Sequence, residues 1–187
     1  MRLPELNLIL NKINKNTEDF DVFIETGSFV GETMTDMKNV FKKIISIEIT
    51  EKYYNYCKNL FKNDKNIELI HGDSLKILPL LIEKWGEKKI LFFLDAHCSA
   101  GDTGKNHLDV PLIEELNLIN KNLDNSCLII IDDSDLFDGD FGVLTWKGIN
   151  EKNILNVLTD RVLNFFYVQN TVVATNKSRL IIELKEK

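Results

Sequence analysis

Two acidic segments of the sequence contain aspartates and a histidine that could act together in catalysis or metal binding. Asp95 and His97 follow one apolar run of the sequence, and Asp132 and Asp133 follow another. If these runs are neighbouring parallel strands, three carboxylates point into one small space, where they repel one another unless a proton or a cation joins them. A hard divalent cation such as Mg²⁺ favours carboxylate oxygens and retains places for substrate oxygens. The metal would acidify a bound hydroxyl, and His97 is placed to take the proton.

Simpler interpretations of these acids stay open. Asp132 or Asp133 would cap the segment that follows, and Asp95 would contact an amine of a bound ligand without any metal. A calcium-binding loop is disfavoured, because the sixth position counted from Asp133 is Asp138 instead of Gly and the twelfth is Leu144 instead of Glu.

A loop with two glycines follows the first apolar run. Its sequence is Glu25-Thr26-Gly27-Ser28-Phe29-Val30-Gly31, and we predict a helix from about Glu32 to Phe41 after it. Glycine allows a tight turn and a close backbone approach to a ligand, and the helix N-terminus supplies free N–H groups. The loop is not GxGxxG, since Phe29 stands near the place of a further glycine. We expect a site for an uncharged or zwitterionic group, with a plain tight turn as the alternative.

Acidic residues also stand at the end of the second apolar run and just after the third. Glu48 comes 21 positions after Gly27, close to the spacing at which an acidic side chain meets ribose hydroxyls. Asp73 and Ser74 stand just before a further predicted helix. Asp73 can accept from an adenine amino group, cap this helix, or do both. We interpret His71, at the end of the third run, as structural.

The elements that must position these residues alternate along the chain. Seven short apolar runs are typical of strands: Val22–Glu25, Ile44–Ile49, Ile67–His71, Ile90–Leu94, Leu128–Ile131, Phe165–Val168 and Leu180–Leu184. Stretches with helical periodicity separate the first five. This alternation predicts an α/β fold, a Rossmann-like doubly wound, mostly parallel seven-stranded sheet with helices on both faces. The last two runs have no full helix between them, which favours an antiparallel edge strand. Ligands bind at the carboxyl edge of such sheets.

In their order, the motifs resemble those of class I S-adenosylmethionine (SAM)-dependent methyltransferases. The resemblance rests on Glu25-x-Gly27 with Gly31, on Glu48 and on Gly72-Asp73-Ser74, and it covers nearly the whole chain. It implies that Glu25 and the glycine loop hold the methionine part of SAM, that Glu48 holds the ribose, and that Asp73 holds the adenine.

Two finer resemblances concern the methyl acceptor. The pattern of Asp95-x-His97 with Asp132-Asp133 resembles metal-dependent O-methyltransferases of the catechol and macrolide-sugar types, whose corresponding positions hold Mg²⁺ beside a base. Residues 94–116, LDAHCSAGDTGKNHLDVPLIEEL, resemble small methyltransferases of bacterial surface-polysaccharide gene clusters. Together these resemblances imply Mg²⁺-assisted O-methylation of a small carbohydrate-like acceptor, a sugar or glycan precursor.

Composition limits the remaining possibilities. With 187 residues and a net charge of −6, the chain suits one domain, residues 1–187, and offers no basic stripe for nucleic acid. Within it we expect an N-terminal helical segment (1–18) and two acceptor-side loops (98–109 and 134–149). Three scattered cysteines and the lack of a long apolar run favour a reduced, cytoplasmic setting without a membrane span. The oligomeric state stays open.

Two other function classes compete with methyl transfer. A nucleotide-dependent Rossmann enzyme of the dehydrogenase type is disfavoured by the missing third glycine. A non-catalytic adenosyl-binding scaffold is disfavoured because a scaffold has no use for crowded carboxylates.

Overall fold

A twisted sheet with helices on both faces forms the centre of the molecule, as the alternation of the sequence predicts. The computed structural model describes residues 1–96, 110–141, 145–169 and 178–187. The strands are β1 (Val22–Thr26), β2 (Ile44–Glu48), β3 (Ile67–His71), β4 (Ile90–Leu94), β5 (Cys127–Ile131), β6 (Val162–Gln169) and β7 (Ser178–Leu184). The α-helices are α1 (Leu3–Lys12), α2 (Glu32–Met37), α3 (Glu51–Leu60), α4 (Ser74–Trp85), α5 (Leu112–Asn122) and α6 (Glu151–Leu158).

Strand order across the sheet is β3-β2-β1-β4-β5-β7-β6. Strands β1 to β5 pair in parallel, whereas β7 is antiparallel to both of its neighbours. This arrangement confirms the predicted fold class, with the antiparallel pair of β6 and β7 at one edge. The strand order reverses between β1 and β4, and it is at such a switch point that open α/β sheets bind ligands.

Both faces of the sheet are buried, which explains why its central strands are apolar without alternation. Ile24 and Phe92 belong to the core on the side of α4, α5 and α6. Their neighbours Phe23 and Phe93 belong to the opposite core, where α1, α2 and α3 pack. Burial of each such side chain stabilises the fold by roughly 1.5–3 kcal/mol, so the sheet is a rigid platform for the loops at its edge.

Helix α2 and strand β6 differ most in length from the prediction. Helix α2 ends at Met37 instead of Phe41, because the backbone beyond it closes in turns in which the N–H groups of Val40 and Phe41 both donate to the Met37 carbonyl. Strand β6 is longer than the predicted Phe165–Val168 run and alternates in burial, as an edge strand does. Among the described residues, no helix combines the length and apolar character needed to span a bilayer.

Candidate functional site

Close contact between the β1 loop and the end of β4 defines the centre of the candidate site. Gly27 has a φ of +88°, and a Cβ atom there would lie 2.6 Å from the carbonyl oxygen of Asp95. Gly31 has a φ of +77°, and its Cβ would lie 2.7 Å from the Phe61 ring. Both positions therefore require glycine, for conformation and for space. The turn that the sequence predicts is present, and it brings the glycine loop against the acidic segment.

Phe29 takes the position at which the dinucleotide motif would carry glycine. Its φ of 45° is in the left-handed region, which costs an ordinary residue roughly 1–2 kcal/mol. Two contacts offset this strain. The Phe29 N–H donates to Glu48 Oε2 at 2.8 Å, and its half-exposed ring lies 4.6 Å from the ring of Tyr53. The loop is thus fastened to β2 and α3 by a residue that the glycine pattern alone does not explain.

Glu25 is buried at the end of β1 inside a chain of hydrogen bonds. Ser46 Oγ donates to Glu25 Oε2 at 2.5 Å, and the hydroxyls of Ser28 and Ser46 are 2.6 Å apart. With Ser46 donating to the carboxylate, Ser28 is the donor to Ser46. Burial raises the pKa of Glu25 to about 7, although the Ser46 hydrogen bond opposes the rise. This carboxyl group therefore changes charge near neutral pH.

Glu48 is the last residue of β2 and Asp73 follows β3, and both side chains hold backbone groups of the loops. Glu48 is buried, and its second oxygen accepts from the N–H of Thr50 at 2.8 Å. Asp73 is the N-cap of α4, since its side chain accepts from the Leu75 N–H at 3.0 Å. Ser74 is the first residue of that helix and is buried. The capping role predicted for Asp73 is therefore present, while the ribose and adenine contacts stay predictions.

The three aspartates of the acidic segments lie near one another. The N–H of Asp95 donates to the Thr26 carbonyl at 3.1 Å, and that of Asp132 donates to the Leu94 carbonyl at 3.1 Å, so the strand ends are side by side. Burial and the charges of Asp132 and Asp133 hold the pKa of Asp95 well above its usual range. The repulsion expected from the sequence is therefore present in the fold.

A buried arginine supplies the cation that this crowding requires. Arg179 Nε lies 2.7 Å from Asp132 Oδ1, and Arg179 Nη1 donates to Glu5 Oε2 at 3.0 Å. Sequence reasoning missed Arg179. The sequence did show an arginine directly before the apolar run of β7. It could not show that the partner of this arginine is Glu5 in α1, which is 174 positions away.

The predicted three-ligand Mg²⁺ site does not fit this arrangement. Asp132, one of its ligands, is already ion-paired with Arg179. In the described part of the chain, no group of three His, Cys, Asp or Glu side chains is placed to hold a metal ion. Asp133 has a φ of 51° and stands at the N-cap position of the short turn Ser134–Leu136, without a side-chain capping bond. The predicted base, His97, and the 98–109 loop lie outside the described residues.

Glu115, on α5, is a second buried charged residue that sequence reasoning missed. It is 1% exposed, and Thr26 Oγ1 donates to its Oε2 at 3.3 Å. Burial raises its pKa to about 8, against hydrogen bonds from Ser74 and Thr26. It also lines a small cavity shared with Asp95 and Asp132. Its place three residues after Leu112, on the buried stripe of the helix, was the available signal.

The second predicted acceptor-side loop divides into a buried and an exposed part. Trp146 is buried in the core and lines the same cavity, with its ring 6.2 Å from that of Phe137. Phe141 is half exposed. Residues 142–144 of this loop lie outside the described part of the chain.

Comparison with known proteins finds similarity of fold without close sequence relatives. No family model and no curated protein matches the chain. A proposed methyltransferase from Streptococcus mutans, in complex with S-adenosylhomocysteine (SAH), is similar over 98% of this chain and 99% of its own, at 15% identity and a TM-score of 0.61. A proposed O-methyltransferase from Klebsiella pneumoniae is similar over 97% of this chain and 79% of its own, at 14% identity and 0.67. A proposed rRNA methylase from Clostridium thermocellum is similar over 96% and 97%, at 12% identity and 0.63.

Proposed function

We propose that this protein is a SAM-dependent methyltransferase that O-methylates a hydroxyl of a small, carbohydrate-like acceptor. One observation carries the proposal: the loop of Gly27 meets the carbonyl of Asp95 at the switch point of the sheet, and buried Glu25 and Glu48 stand at the ends of the adjacent strands β1 and β2. The fold shared with a structure that contains SAH supports the same reading.

The charge of the site suits the methyl donor. SAM carries a sulfonium and an ammonium group against one carboxylate, so a site rich in carboxylates favours it over the neutral thioether product. Glu25 and the loop from Gly27 to Gly31 would hold the methionine part, as the sequence resemblance implies. Glu48 would accept from the ribose hydroxyls, either sharing or exchanging its bonds to Phe29 and Thr50. Asp73 would face the adenine while it caps α4.

Methyl transfer at this edge is a single in-line displacement. The acceptor oxygen forms a bond to the methyl carbon, the carbon–sulfur bond breaks, and its electron pair stays on sulfur. The hydroxyl proton leaves to a base, for which His97 stays the prediction. The protein contributes alignment and exclusion of water. Mg²⁺ assistance rests on the predicted crowding of the three aspartates and on the sequence resemblance, and no step is assigned to a metal because the described residues do not fit one.

The acceptor class follows from charge and from the sequence resemblance. A net charge of −6 disfavours RNA, whose phosphates need neutralising side chains, although two proteins of similar fold are described as rRNA methylases. The resemblance of residues 94–116 to polysaccharide-cluster methyltransferases favours a sugar hydroxyl. Transfer of a labelled methyl group from SAM to sugar nucleotides, with RNA as the comparison acceptor, tests this choice.

Calorimetric titration with SAH tests the donor site. We expect saturable binding that Glu48→Gln weakens by roughly 10-fold or more, since hydrogen bonds to a charged group contribute roughly 1.5–3 kcal/mol. Glu51→Gln, which removes an exposed carboxylate at the start of α3, is the matched control and should bind like the parent protein. Binding of NAD without SAH would favour a dehydrogenase, and binding of no adenosyl ligand would favour a scaffold.

A further inference from the structure

Concentrated negative charge at the ends of β4 and β5 is the starting observation. Asp95, Asp132 and Asp133 lie close enough for the last two charges to act on the first. Glu5 of α1 adds a fourth acid, and its side chain is 4% exposed. Buried carboxylates at this density need a proton or a cation among them, because the interior screens their repulsion poorly.

Arg179 satisfies this need from inside the fold. Its side chain is 6% exposed and bridges Asp132 at 2.7 Å to Glu5 at 3.0 Å. A guanidinium group stays protonated at all working pH values and offers a rigid, planar set of donors. One bridge therefore joins three elements: β7, the segment after β5, and α1.

The backbone around Arg179 leaves it little freedom to move away. In the pairing of β7 with β5, Leu180 is opposite Ile131. The residue on its other side, Ser178, bonds the segment after β5 twice. Its N–H donates to Asp135 Oδ1 at 3.0 Å, and its hydroxyl is 2.7 Å from that of Ser134. Glu5 is fixed in turn, since its Oε2 also accepts from the N–H of Arg2 at 2.8 Å.

We propose that Arg179 is the resident cation of the acidic site and takes the place that a divalent metal ion would otherwise have beside Asp132. Arg179 is a positioning residue: it holds the Asp132 carboxylate in place and does not itself touch the reacting groups. A metal ion brought to Asp132 would meet a fixed positive charge, so its binding is disfavoured. On the proposed function, methyl transfer then proceeds without a divalent ion at this cluster.

Titration with Mn²⁺, followed by electron paramagnetic resonance, tests the proposal on the parent protein. We expect no saturable Mn²⁺ binding. Saturable binding that Asp132→Asn abolishes would overturn the proposal. This measurement needs neither the acceptor nor a variant of Arg179, so it decides the question even if variants of Arg179 fail to fold.

Thermal melting of Arg179→Met, with and without Mn²⁺, is the complementary test. The variant keeps the length of the side chain and removes its charge, and we expect its melting temperature to fall by roughly 6–20 °C, as for a broken buried ion pair. Mn²⁺ should restore part of this loss by binding the carboxylates that have lost Arg179 as their partner. Arg161→Met is the matched control, because buried Arg161 bonds the carbonyls of Leu123 and Asn125 instead of a carboxylate. It should also melt earlier, without rescue by Mn²⁺.

Each result has a defined meaning for the two proposals. Rescue of both arginine variants, or of neither, would contradict the role of Arg179 as the cation of the acidic site. Titration of the parent protein with SAH, in the presence of chelator, reports separately on the donor site. Failure of SAH to bind would refute the proposed function. The Mn²⁺ measurements would still test the role of Arg179.

Discussion

Replacement of Glu115 by glutamine should stabilise the protein increasingly as pH rises. The Glu115 carboxyl is buried, and its pKa is raised from 4.5 to about 8, chiefly by desolvation. Between these two values the unfolded chain has lost its proton while the folded chain keeps it, so the parent protein loses stability with rising pH. Below pH 4.5 both states are protonated, and above pH 8 the full penalty is present. Glutamine cannot ionise and escapes the penalty.

The size of the effect follows from the rise in pKa. At 1.36 kcal/mol per pKa unit, the rise corresponds to roughly 5 kcal/mol, and relaxation around the new charge makes this an upper value. Urea unfolding at pH 5, 6, 7, 8 and 9 measures it as the difference in unfolding free energy between Glu115→Gln and the parent protein. Titrations elsewhere in the chain cancel in that difference.

Glu114→Gln is the control for the removal of one negative charge from the same turn of α5. Its side chain is half-buried, next to Glu115 in sequence. The difference between Glu115→Gln and the parent protein should grow by several kcal/mol from pH 5 to pH 9, and that for Glu114→Gln should not. A constant difference for Glu115→Gln across this range would refute the reasoning, because it would mean that the buried carboxyl titrates alike in both states.

Two further predictions concern the glycine loop and the methionine end of the site. Gly27→Ala should lower both the melting temperature and the affinity for SAH, because the new Cβ would lie 2.6 Å from the Asp95 carbonyl oxygen. Gly148 has a similar φ of +83° with nothing within 4 Å of its Cβ position, so Gly148→Ala should lower the melting temperature only. Equal effects of the two substitutions on SAH binding, measured by calorimetry, would contradict this. Glu25→Gln should remove a rise in SAM affinity that we expect in the parent protein as pH passes about 7 and the Glu25 carboxylate forms; a rise that persists in the variant would assign it to another group.

The sequence predicted best those site residues that lie near the end of a strand, where local spacing determines their position. Gly27, Glu48 and Asp73 each lie within two residues of the end of a short apolar run, so local spacing predicts their place at one edge of the sheet. The fold class follows from the same alternation of runs and helical stretches. The position of β7 between β5 and β6 requires long-range pairing, for which the sequence holds no local signal.

The features that the sequence did not reveal depend on tertiary contacts between residues far apart in the chain. The crowding of the aspartates predicted a bound divalent cation, and nothing near Asp95 or Asp132 in sequence identifies Arg179 as a partner. Its contact with Glu5 joins residues 174 positions apart. Similarly, the left-handed conformation of Phe29 depends on its bond to Glu48 and its ring contact with Tyr53, neither of which a loop pattern describes.

The place of β7 in the sheet has a consequence for how the protein is made. On the ribosome, β5 emerges well before β7, so its apolar edge has no final partner while β6 and the intervening chain are synthesised. Until β7 inserts, Asp132 also lacks Arg179, and the nascent sheet combines an open edge with unneutralised acids. Such edges are prone to pair with other chains, and pairings distant in sequence form slowly. We expect the part of the sheet from β1 to β4 to form first. The pairing of β7 with β5, which brings Arg179 to Asp132, should form last.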